Sequence, residues 1–249
     1  ANYIISRERW TVLSVSRKED YEQAGIRREY IQDNNLFLAF VNWNKQKGPY
    51  FSKQNTVSFQ TELLEDVTER FTFHTRDFDP HFNFAYYNDL KGKDTAAKSS
   101  YYAVSEISFE TRFAKDEIFL QNDNERISLG TKKWPIFTIK YTRGIKGLFN
   151  GYFNYNKFAL DISHVIKMGR LGRAYYDINV GKVFSPVPFP LLEVHMGNES
   201  IFYTTRTYNL MNYFEFVSDQ FVALRYRQYF EGLFFNRIPA IKKLKWNSM

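Results

Sequence analysis

A chain of 249 residues with no cysteine forms no disulfide and no thiolate metal site, and its length suits one all-β domain or two smaller mixed ones. Aromatic residues make up 19% of it, with 18 Tyr and 25 Phe, yet the mean hydropathy is negative, so polar residues dilute the apolar ones throughout. The net charge of +7 comes without a Lys/Arg stripe or a nucleic-acid-binding motif, which argues against nucleic acid as a partner.

No stretch approaches the ~18 apolar residues of a membrane helix, so a membrane can be crossed only with strands. The signal along the chain is an alternation of period two. It predicts strands over residues 10–17, 36–43, 57–63, 69–77, 81–87, 101–113, 136–143, 157–166, 174–184 and 221–230. In the 57–63 segment Val57, Phe59 and Leu63 oppose Ser58, Gln60 and Glu62. In 101–113 one parity carries Ile107, Phe109 and Phe113, and the other Glu106, Ser108, Glu110 and Arg112. In 157–166 Phe158, Leu160, Ile162 and Ile166 oppose Lys157, Asp161 and Ser163. In 174–184 Tyr176, Ile178 and Val180 oppose Asp177, Asn179 and Gly181, and in 221–230 Val222, Leu224 and Tyr226 oppose Arg225 and Arg227. Each ribbon separates two unlike environments.

Between the strands, 168–172 reads as a tight hairpin, 144–151 as a glycine-punctuated loop and 90–100 as a polar loop. Residues 185–190 form a proline-rich exit into the long segment 191–219, where only 208–217 has a weak helical period. Short and long connections alternate, which is the habit of membrane barrels. A soluble β-sandwich also alternates, and stays open as a rival at this point.

Chemistry is sparse. The string 74–81 carries His74, Asp77, Asp79 and His81. The two histidines have opposite parity on a strand and diverge, so a turn near Asp79 and Pro80 is the expectation and no metal site is assigned. His164 shares the apolar parity of its strand. His195, with Glu193 and Glu199 near it in sequence, lacks a partnered nucleophile and makes no triad. No nucleotide-binding loop, nucleophile elbow or metalloprotease helix motif occurs. The expectation is a protein that is not an enzyme and has no cofactor. Glu106 and Glu110 share a strand face, and ion pairing with Arg112, Arg225 or Arg227 is the expected use of these five charges.

The strings RISLGTKKWPIFTIKYTRGIKGLFNGYFNYNKF (126–158), LMNYFEFVSD (210–219) and NRIPAIKKLKW (236–246) carry a resemblance, with RERWTVLSVSRKEDYEQAGI (7–26) adding to it more loosely. They resemble the barrel region of a Bacteroidota family of outer-membrane proteins that often carries a carboxypeptidase-regulatory-like domain upstream. That family is similar to the bacterial surface-antigen superfamily of BamA-type insertases, TamA-type assembly factors and two-partner-secretion transporters. The resemblance implies an all-β fold, an antiparallel transmembrane β-barrel, with about ten strands here of a sixteen-stranded parent. Residues 1–249 are then one barrel domain, an internal piece with a periplasmic part before it and last strands after it.

The resemblance also implies a long loop folded back into the lumen, and 191–219 lies where it belongs. Its candidates are Gly197, Asn198, Glu199 and Arg206, with Arg206 facing Glu106 or Glu110 in place of the superfamily's Arg-Gly pair. The Val-Arg-Gly-Phe string of the superfamily is absent. The implied location is the bacterial outer membrane. The implied partners are the lipid bilayer and lipopolysaccharide, client outer-membrane proteins, and accessory lipoproteins or envelope-complex subunits. The expected role is assembly or translocation of outer-membrane or surface proteins without covalent chemistry. The alternatives are a structural or channel-forming subunit of an envelope complex, and a soluble β-sandwich binding protein.

Overall fold

The computed structural model describes residues 1–23, 49–83, 86–87, 98–122, 125–198, 203, 207–212, 215–231 and 233. In chain order its strands are β1 (Asn2–Ser6), β2 (Thr11–Gln23), β3 (Pro49–Leu64), β4 (Val67–Pro80), β5 (Tyr86–Tyr87), β6 (Lys98–Ser99), β7 (Tyr102–Phe113), β8 (Glu117–Gln121), β9 (Arg126–Thr131), β10 (Ile136–Gly144), β11 (Tyr155–Lys167), β12 (Arg173–Val183), β13 (Glu193–Val194), β14 (Val217–Ser218) and β15 (Gln220–Tyr229). Among the described residues the only helical turns are short 3-10 turns at Leu148–Asn150, Gly169–Leu171 and Phe189–Leu191.

Nine strands form one sheet in the order β1-β2-β3-β4-β7-β10-β11-β12-β15, and every pairing is antiparallel. β1 and β15 are its edges, so the described strands do not close on themselves. The pairs β5–β6, β8–β9 and β13–β14 stand outside this sheet. The chain leaves and re-enters the sheet at one end between β2 and β3, β4 and β7, β10 and β11, and β12 and β15; this is the loop end. The turns at 7–10, 65–66 and 168–172 lie at the opposite, turn end, together with the β8–β9 hairpin.

Register turns the alternation of each strand into two continuous faces, because directly paired residues point the same way. One row runs Leu13–Phe59–Phe71–Phe109–Tyr141–Phe158 across β2, β3, β4, β7, β10 and β11. A second runs Phe113–Phe137–Ile162–Ile178–Leu224 from β7 to β15. The opposite face carries Ser14–Ser58–Thr72–Ser108–Thr142–Lys157 and Gln60–Arg70–Glu110–Lys140–Ala159.

The apolar face is the one left uncovered. Phe109 is 50% exposed, Leu224 65% and Val222 76%. No second sheet or helix layer packs on it among the described residues. The compact core lies on the polar face at the loop end. There Tyr50, Phe78, Tyr102, Val104 and Tyr155 come from polar-face positions and meet Leu191, with Phe82, Tyr152, Phe153 and Val187 around them. Phe78 stacks on Tyr102 at 4.7 Å and lies 4.4 Å from Tyr50, while Phe153 meets Tyr102 edge-on at 5.5 Å. The loops between β10 and β11 and after β12 thus supply the lid that buries the aromatic ends of the polar face.

Several expectations need correction. β1 and the β8–β9 hairpin carry too short an alternation to register as strands. β3 begins at Pro49 instead of residue 57, since both parities of 52–56 are polar. β4 continues to Pro80, so a turn falls at 81–83, and among the described residues of the expected 81–87 strand only Tyr86–Tyr87 is extended. Among the described residues of 208–217, where the period is weakly helical, the chain forms a turn and enters β14. The expected strand at 36–43 lies outside the described residues.

Two glycines let aromatic rings lie flat on the polar face. A Cβ at Gly144 would sit 2.3 Å from the Tyr155 ring, and one at Gly181 2.3 Å from the Phe221 ring. Tyr155 is almost fully buried. Gly144→Ala is therefore expected to lower stability by about 1–3 kcal/mol through overpacking, read as a lower denaturant midpoint.

Candidate functional site

The polar face gathers the charges. Glu106, Glu110 and Arg112 of β7 occupy it, and cross-strand register brings Arg225 and Arg227 of β15 to the same face. All five sequence candidates share one side of the sheet, but they do not pair with one another. Glu106 accepts a hydrogen bond from the Tyr155 hydroxyl and lies 3.4 Å from His74 Nδ1 and 3.7 Å from Lys157 Nζ. Glu110 pairs with Arg70 at 3.3 Å. Arg112 donates two hydrogen bonds of 2.6 Å to the Glu117 carboxylate at the foot of β8. Arg225 donates to Asn179 Oδ1 at 3.4 Å, and the Arg227 guanidinium lies 5.5 Å from the Tyr175 ring centroid.

The expected pairing of Glu106 or Glu110 with Arg112, Arg225 or Arg227 is thus corrected. The reason is spacing. β7 and β15 are four strand steps apart, roughly 19 Å at ~4.8 Å per step, whereas a residue directly opposite lies about 5 Å away; Arg112, on β7 itself, is taken up by Glu117. Arg70 is directly opposite Glu110, and His74 directly opposite Glu106. Arg70, His74, Tyr155 and Lys157 are the partners that sequence reasoning missed. Their polar parity was readable, but the register that pairs them was not.

A cavity of about 540 Å³ opens between this face and the loop after β12. Glu110, Lys140, Lys157 and Asp161 line its floor, and Val194, His195 and Tyr208 its roof. The roof is held by β13–β14 pairing and by the His195 ring, edge-on to Phe221 at 5.0 Å. His195 Nε2 is 3.2 Å from Ser218 Oγ, a hydrogen bond that links β13 to β14.

Gly197 and Asn198 pack on the segment 207–212. Gly197 bridges Tyr208, Asn198 N donates to Met211 O at 2.8 Å, and Asn198 Nδ2 donates to Asn209 Oδ1 at 2.7 Å. A Cβ at Gly197 would meet the Asn212 carbonyl oxygen at 2.3 Å. Glu199 and Arg206 lie outside the described residues. The carboxylates proposed for Arg206 are held by the partners already named.

His74 and His81 diverge: His74 faces Glu106, and His81 meets Tyr21 at 5.4 Å. Among the described residues no group of three or more His, Asp or Glu is arranged to hold a metal ion. His164, on the apolar face, meets Tyr176 edge-on at 5.8 Å.

Beyond the strand ends of the sheet, burial opposes ionisation of Glu117. The hydrogen bonds from Arg112 and Ser128 outweigh it and hold the carboxyl below the usual carboxylate range. A lowered pKa stabilises the attachment of the β8–β9 hairpin above the ordinary carboxylate value of about 4.3, and that stability is lost as pH falls through the lowered value. Hydrogen exchange over residues 117–131 is expected to stay slow down to about pH 4. In Arg112→Gln the onset of fast exchange moves to higher pH. Gly197→Ala is expected to loosen the roof, read as faster proteolysis within 193–218.

The chain belongs to a family of unknown function, DUF5686, whose C-terminal domain matches residues 40–249. No curated protein and no solved structure matches the chain.

Proposed function

For this member of the DUF5686 family we propose a place in the wall of a bacterial outer-membrane β-barrel that assists assembly or translocation of outer-membrane or surface proteins, without covalent chemistry. The observation that carries this reading is the polarity of the sheet. Its aromatic and aliphatic face is bare, and its charged face holds the paired ions, the cavity and the folded loops. In water that arrangement is inside out; in a bilayer it is the required one, with apolar residues toward lipid and polar residues toward the bore. Closure between the β1 and β15 edges, directly or through further strands, belongs to the proposal, because unpaired strand edges are not tolerated in hydrocarbon.

The assembly role rests on the resemblance to the surface-antigen barrels. A passive channel fits less well, since the aromatic cluster and its loops fill the polar face at the loop end. A soluble sandwich lacks a second layer over Phe109 and Leu224 among the described residues.

Two measurements test this. Depleting the protein in its own organism is expected to lower many outer-membrane barrels together in quantitative proteomics of the envelope. A fall confined to one or two partners would favour a scaffold and sink the assembly role. Leu224→Arg, a change usually neutral at an exposed site in water, is expected to cost up to about 2–4 kcal/mol in lipid. It should deplete the membrane-extracted folded form, while the neighbouring Ala223→Arg, on the polar face, does so less. Equal tolerance of both would contradict the membrane reading.

A further inference from the structure

Two rows of the polar face cross the floor of the cavity. One runs Thr138–Asp161–Asn179–Ala223, and the next runs Lys140–Ala159–Gly181–Phe221. The short side chain of Ala159, exposed on the floor, leaves room above it, and Val194, His195 and Tyr208 close that room from the roof. The volume of about 540 Å³ lies within the range of small-ligand sites, about 300–1,000 Å³.

Several charges around this floor are held by their neighbours. Glu106 has Tyr155, His74 and Lys157, and Arg225 donates to Asn179 Oδ1. Glu110 turns to Arg70 on β4, away from Lys140, which is directly opposite it on β10. Among the described residues Lys140 makes no ion pair or hydrogen bond, and neither does Asp161. Asn179 Nδ2 is buried and also has no hydrogen-bond partner. Lys140 and Asp161 are diagonal neighbours, ~7–8 Å apart across the ladder, and Asn179 is directly opposite Asp161. A cation, an anion and an amide donor thus surround Ala159 without satisfying one another.

Polar groups withdrawn from bulk water cost free energy until a partner meets them. A ligand with one negative and one positive group meets all three. A simple anion would reach Lys140 but be repelled by Asp161, and a neutral sugar would answer neither charge. We propose that the cavity takes a zwitterion, a free amino acid or short peptide, above Ala159. Lys140 Nζ and Asn179 Nδ2 donate to its carboxylate, and Asp161 accepts from its ammonium. The site lies on the polar face, so it does not depend on what covers the apolar one.

The intact protein in detergent micelles is titrated calorimetrically with trialanine, its N-acetylated form, its C-terminal amide, and maltotriose. Trialanine is expected to bind saturably and maltotriose not to bind. Capping either end of the peptide is expected to weaken binding about tenfold or more, since one charge-assisted hydrogen bond is lost each time. Asp161→Asn should weaken trialanine by a like factor and leave the N-acetylated peptide as it was. Lys140→Gln should weaken trialanine and leave the amide as it was. Ala159→Leu, which fills the floor, should remove binding while circular dichroism keeps the strand signal of the parent. The capped peptides read both contacts in the unaltered protein, so they decide the matter even if a variant fails to fold. No saturable binding of trialanine, or equal binding of capped and uncapped peptides, overturns the proposal. Binding that survives all three substitutions places the ligand elsewhere and overturns it too.

Discussion

A strand that alternates polar and apolar residues must offer one of its faces to each of two environments, and everything in this molecule follows from which face is covered. Here the loops and the ion pairs sit on the polar side. Leaving a Phe, Leu, Ile or Val side chain in water forfeits roughly 1.5–3 kcal/mol. About ten such residues stand bare on the strands, among them Phe59, Phe71, Phe109, Ile139, Val222 and Leu224. These six are 40–76% exposed, so the sum is on the order of 10 kcal/mol, as large as the whole net stability of an ordinary domain, roughly 5–15 kcal/mol. A sheet of this polarity calls for an apolar solvent or an apolar partner on that side, and a bilayer supplies the first without any further protein layer.

The polar face solves the complementary problem. A charge taken out of bulk water needs a partner close at hand. The cross-strand pairs Glu110–Arg70 and Glu106–His74 supply partners at ladder spacing, and Tyr155 and Lys157 complete the shell of Glu106. Ser108 and Thr142, both buried, hydrogen-bond each other at 2.8 Å. The face becomes apolar at the loop end, where Phe78 stacks on Tyr102 and both cluster with Tyr155, Leu191 and Phe153. That cluster anchors the loops, and the loops roof the cavity. One end of the polar face is therefore built solidly, while its middle carries the ion pairs and the cavity.

Much of this was legible in the sequence because period two is a local property. The strands β7, β10, β11, β12 and β15 lie within a residue or two of where alternation puts them, and the face assignments of Phe109, Glu110, Leu224 and Arg225 follow from parity alone. Register is not local. It depends on which strands become neighbours and on where each turn falls, so the partners of Glu106, Glu110, Arg112 and Arg225 could not be read from their own segments. The β8–β9 hairpin escaped for a related reason: its apolar positions are few, and only its attachment through Arg112 and Glu62 gives them a common direction.

The central claim is that the bare face meets lipid. Hydrophobic photolabelling tests it most directly: a carbene precursor dissolved in native membranes is activated, and the modified residues are located by mass spectrometry. The account predicts label on Phe59, Phe71, Phe109, Ile139 and Val222, with Ser108, Thr142 and Glu110 unmodified. Label absent from the first set, or spread equally over both, would contradict it.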